Sequence, residues 1–168
     1  MEWVISILVM LSLIGSIMWV KPSPREKLIS EIRLHARKLG FTVKMAEIEA
    51  TRGKGEMEPQ KLRLPAYHLP RKYLTKSEKG QWICWQVFRT ENAANRGLPE
   101  GWSWKKGEFE VTKEMCDMIC QLIEKLPKGV KALESTPIQF TVYWREEGGV
   151  DVLDAIFDAV QPFVKKEL

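Results

Sequence analysis

The chain has 168 residues, 29% charged and 10% aromatic, with a formal net charge of +4. That length and balance exclude a disordered tail and leave room for one domain with a proper core. The charge is unevenly spread: residues 21–79 carry fifteen Lys/Arg against seven Asp/Glu, a net of +8, whereas residues 80–168 carry eleven against fourteen, a net of −3, and Glu2 supplies the last −1.

The first stretch, Trp3 to Val20, reads WVISILVMLSLIGSIMWV; fourteen of its eighteen residues are large and apolar and none is charged. As a helix it extends roughly 27 Å, near the roughly 30 Å of a hydrocarbon core. Trp3 and Trp19 stand near the ends, where indoles favour the headgroup layer. The expectation is a transmembrane helix over residues 1–20. A cleaved signal peptide needs a basic segment before the apolar run, and only Met1 and Glu2 precede it. Lys21, Arg25 and Lys27 follow the run, which by the positive-inside rule puts the N-terminus outside and residues 21–168 in the cytoplasm, as a single-pass protein of a bacterial inner membrane. Ser12, Gly15 and Ser16 form a small-residue face at which another span, including one from a second copy, can approach.

Ser23, Pro24 and Glu26 form a helix-start signature, followed by Leu28, Ile29, Ile32, Ala36 and Leu39 at helical spacing. The spacing predicts an amphipathic helix over about 24–39, its apolar face meeting either the core or a membrane or partner. Its cationic side chains, Lys27, Arg33, Arg37 and Lys38, with Lys21 and Arg25, are expected at a membrane surface, because anionic headgroups attract juxtamembrane Lys and Arg. Nucleic acid is a weaker explanation of this charge, because no nucleic-acid motif accompanies it. His35 reads as a surface or boundary residue.

Residues 41–48 alternate as a strand, and Thr51 to Pro59 is a polar loop whose Gly53-Lys54-Gly55 lacks the spacing of a phosphate loop. Leu62 to Leu69 reads as a strand in which Pro65 marks an edge or a break. Residues 70–79 read as a loop and Gln81 to Arg89 as a central strand buried on both faces. The segment 92–107 reads as a long loop, its Trp102 and Trp104 either core plugs or contact residues for a partner. Thr112 caps a helix to about Leu126, Pro137 to Arg145 alternates as a strand, and a last helix runs from Asp151 to about Lys165, with Pro162 inside it. The row Asp151, Asp154 and Asp158 reads as a solvated face or a docking patch for a basic partner. The fold expected is α+β: a transmembrane helix, then one domain with a mostly antiparallel sheet and about three helices.

Chemistry-bearing motifs are sparse. Cys116 and Cys120 share a helical face and Cys84 lies on a strand, but the close spacing of a zinc site is missing. His35 and His68 have no paired nucleophile, and no GxSxG, HExxH or GxGxxG occurs. The reading names no catalytic residue, cofactor or metal.

The span followed at once by Val20-Lys-Pro-Ser-Pro-Arg-Glu-Lys resembles the layout of YajC, the small accessory subunit of the bacterial preprotein translocase. The resemblance covers about the first 30 residues; the family's Gly-Gly-containing strand has no counterpart, and the domain here is larger. It implies association with a translocase. The function expected overall is a membrane-anchored adaptor or accessory subunit that binds a protein partner, with a membrane-acting enzyme or a lipid- or nucleic-acid-binding module as alternatives.

Overall fold

The computed structural model describes residues 2–19, 23–51, 53, 58–59, 61–71 and 74–165, with backbone only for 2, 16–19 and 165. Among them are helices α1 (Glu2–Trp19), α2 (Pro24–Lys38), α3 (Lys76–Gln81), α4 (Lys113–Lys125) and α5 (Val150–Lys165), and strands β1 (Thr42–Glu49), β2 (Lys61–Pro70), β3 (Trp85–Phe88), β4 (Ser103–Lys106), β5 (Val130–Ser135) and β6 (Gln139–Trp144).

The strands form one sheet in the order β1-β2-β6-β5-β3-β4, and every pairing is antiparallel. Alternation along each strand divides its side chains between two faces. One face carries Tyr67, Leu69, Val87, Leu133, Phe140, Val142 and Trp144 into the main core, with Ile32 and Ala36 of α2, Ile119 and Leu122 of α4, and Leu153, Ile156 and Val160 of α5. The other face holds a smaller cluster: Ile48, Ala50, Leu64, Ala66, Phe88, Ala132 and Tyr143. Thr51 Oγ1 meets Ser103 Oγ at 2.8 Å and Lys105 Nζ donates to the Glu49 carbonyl. The end of β1 therefore reaches the opposite edge strand, β4, and the sheet curls over its second cluster.

The expected fold is corrected first at the N-terminus. Among the described residues no helix is long and apolar enough to cross a membrane. The side chains of Ser16 to Trp19, together with Val20 and Lys21, lie outside the described residues. The transmembrane span, and the single-pass inner-membrane placement that rests on it, are corrected accordingly.

The second correction concerns the domain. Two strands, β4 and β5, and the short helix α3 were not among the expected elements, so the sheet has six strands rather than four. Pro65 lies in a strand flanked on both sides, yet it pairs only with Met45, because β2 meets β6 from Ala66 onward. It therefore occupies a locally one-sided stretch, where the missing N–H removes no ladder bond that a second neighbour needs. Helix α5 starts at Val150, which puts Asp151 in its first turn, and it continues through Pro162 to Lys165. Ile138 precedes β6 and is 70% exposed.

Candidate functional site

Helix α2 is fixed to the domain by polar bonds as well as by its apolar stripe. Ser23 and Glu26 close a capping box at its start, and the Ser23 hydrogen bonds hold the Glu26 carboxyl below the usual carboxylate range. Arg33 donates in bidentate fashion to Glu146, Nε to Oε1 at 2.7 Å and a terminal nitrogen to Oε2 at 2.9 Å. Tyr67 Oη donates to the same Oε1 at 2.8 Å. The Glu146 side chain is 4% exposed. This acceptor raises the Arg33 guanidinium, while burial, followed by the Glu146 bond, pushes the Tyr67 phenol up. His35 Nε2 meets Asp154 Oδ1 at 2.7 Å, which ties α2 to α5.

Held in this way, α2 turns an outer face to solvent. Glu26, Ile29, Ser30, Arg33, Leu34 and Arg37 line an open groove of about 540 Å³ along it. Leu34 is 57% and Leu28 39% exposed, and Arg25, Lys27, Arg37 and Lys38 are exposed around them. Beside it in sequence, α1 exposes every described side chain from Trp3 to Gly15; Trp3 is 73%, Leu8 68% and Leu11 64% exposed. An apolar surface this continuous is what binding sites present, and isolated exposed apolar residues do not form one. Ser12 is exposed, and a Cβ built on Gly15 would meet no atom within 4 Å.

The face of the sheet away from the helices carries a polar row: Thr42, His68, Thr141, Glu134, Gln86 and Lys106 stand opposite one another across all six strands. His68 Nδ1 lies 3.0 Å from Thr141 Oγ1 and 2.8 Å from Gln139 Nε2, so the amide hydrogen of Gln139 and the ring nitrogen form a bond when Nδ1 is unprotonated. Burial lowers the imidazole below its ordinary value and the Lys44 charge lowers it further, with Glu134 partly opposing. Tyr143 Oη donates to Glu134 Oε2 at 2.7 Å. This network orders the floor of the sheet.

The remaining sequence candidates fall elsewhere. Trp102 and Trp104 are each 3% exposed. The Trp102 ring lies under the Arg89 guanidinium, and the Trp104 indole donates to the Arg96 carbonyl at 2.9 Å. Both are core plugs, the first of the two readings left open by the sequence. Asp151 and Asp158 are exposed, and Asp154 is committed to His35. Arg33 points to Glu146, while Arg25, Lys27, Arg37 and Lys38 stay on the outer face of α2. Cys84 is exposed; Cys116 and Cys120 are half-buried together beneath the turn at Gly97. Among the described residues no three metal-ligating side chains converge. Glu146 carried no signal in the sequence, because its partners are 113 and 79 positions away.

Comparison with protein-family models, with characterised proteins and with solved structures finds no match.

Proposed function

We propose that the chain is a binding protein, an adaptor or accessory subunit, that docks a protein partner through α1 and the adjoining outer face of α2. The observation that carries this reading is the unbroken exposure of apolar side chains along α1. The complementary partner surface is an apolar groove that takes a helix, with acidic side chains placed to meet Arg25, Lys27, Arg37 and Lys38. The fixed position of α2, tied through Arg33 and His35, supports the reading, because a pre-ordered surface loses less side-chain and loop freedom on binding.

The test is recovery of the tagged full chain from the cells that make it, compared with a variant carrying Leu8→Glu and Leu11→Glu. Wild type is expected to bring down one protein in stoichiometric amount, and the variant at least about tenfold less, since each buried leucine contributes more than 1.4 kcal/mol. Equal recovery by the variant would overturn the reading. So would wild-type protein that binds anionic-lipid vesicles and recovers no protein partner.

A further inference from the structure

The thiols of Cys116 and Cys120 lie one turn apart on α4 and converge on a single backbone oxygen. Cys120 Sγ donates to the Gly97 carbonyl at 2.9 Å and Cys116 Sγ to the same oxygen at 3.3 Å. The turn that supplies this oxygen is itself held. Leu98 N–H bonds to the Asn95 carbonyl at 3.0 Å, Trp104 N–H to Ala94 at 2.6 Å, and the buried Trp104 indole to the Arg96 carbonyl. Gly97 adopts φ +71°, and a Cβ there would stand 2.7 Å from Cys116 Sγ, so only glycine lets the backbone come this close to the sulfurs. A cavity of about 310 Å³ lined by Arg96, Gly97, Trp104, Lys113 and Cys116, among others, opens the site to solvent.

We propose that Cys116 and Cys120 form a two-thiolate site for a soft d10 ion of the Cu(I) class, with the Gly97 carbonyl oxygen beside it. The spacing favours an ion over a disulfide. Residues four apart on a helix hold their Cβ atoms about 5–6 Å apart, whereas a disulfide needs roughly 3.5–4.5 Å. An ion bound to both sulfurs holds them far wider apart than the roughly 2.05 Å of a disulfide bond, which suits the helical spacing without unwinding it. Thiolate ligands select soft ions, and two of them satisfy Cu(I) without the third and fourth side chains that zinc requires. Binding forms two copper–sulfur bonds and releases the two thiol protons to solvent, with no change in oxidation state. Asp117 and Glu124 place negative charge near the Cys120 sulfur, which favours a cation there.

The experiment titrates the reduced full chain, without oxygen, with Cu(I) held by a coloured chelator, and counts ions per chain by native mass spectrometry. One ion per chain is expected, with two protons lost. Cys116→Ser and Cys120→Ser should each weaken binding by about 100-fold or more, and Gly97→Ala should weaken it by displacing the Cys116 sulfur. Cys84→Ser should leave it unchanged. The proposal is overturned if either single serine variant keeps wild-type affinity while its circular dichroism matches wild type. It is overturned equally if Cys84→Ser abolishes binding, or if one ion is shared between two chains.

Discussion

Glu146 sits at φ +58°, a left-handed conformation uncommon for a residue with a Cβ and costing about 1 kcal/mol or more. It persists because its carboxylate accepts two bonds from Arg33 and one from Tyr67. The two donors are unequal. Replacing Arg33 by Met strands a buried anion, and a loss of about 3 kcal/mol is expected, the low end for a broken buried pair because Arg33 is itself half-exposed. Tyr67→Phe removes a neutral donor and should cost about 1 kcal/mol. Urea unfolding of the two variants checks the order; equal losses would mean that the charge on Arg33 is not what matters. His68 gives a prediction of a different kind. Its imidazole titrates lower in the folded chain than in the unfolded one, through burial and Lys44. As pH falls below about 6.5 the unfolded state takes up the proton first. Stability should therefore decline on acidification below that point, reach its full loss below the folded value, and be unaffected above it. His68→Gln should flatten this part of the profile. Urea midpoints at pH 7.5 and 5.5 that shift equally in both proteins would assign the effect to other groups.

Among the elements, the turn after β4 is the most tightly constrained. Gly107 has φ +87°, and an added Cβ would fall 2.7 Å from Trp85 Cβ and 3.1 Å from Trp85 Cα. Because one obstacle is backbone and Trp85 is 1% exposed in the core, neither side can give way cheaply. Gly107→Ala should destabilise by about 2 kcal/mol or more, read as a lowered unfolding midpoint. How far such elements were legible depended on whether their signals were local. Helices α2 and α4 announced themselves through Ser23 with Glu26 and through Thr112, whose side chain accepts from Met115 N–H. The same signal, Thr75 with Glu78, marks α3 and was readable, but the basic residues around it favoured a loop reading. Strands β4 and β5 were not readable in that way. Four residues at Ser103–Lys106 become a strand only by pairing with β3, and the register shift between Val130 and Ala132 breaks the alternation that would have marked β5. The candidate surfaces divide along the same line. The apolar run of α1, the basic face of α2 and the thiol pair follow from spacing, whereas Glu146 and the Gly97 oxygen are delivered by tertiary contacts.

At the scale of the whole molecule, the two apolar clusters lie on opposite faces of one curled sheet, and neither includes a residue of α1. Core and proposed docking surface are therefore drawn from different parts of the chain, with α2 belonging to both: Ile32 and Ala36 face inward while Leu34 and Arg37 face out. This separation has a measurable consequence. Substitutions that remove no buried contact leave stability within about 0.5 kcal/mol, so Leu8→Glu with Leu11→Glu should unfold at the wild-type urea midpoint. Wild type is expected to self-associate at a lower concentration than this variant, because two charges now interrupt the exposed apolar surface. A lowered midpoint would show that α1 packs against the domain and contributes to its core, and the loss of partner recovery could then be ascribed to unfolding. An unchanged midpoint together with lost recovery separates binding from folding and locates the docking surface on α1.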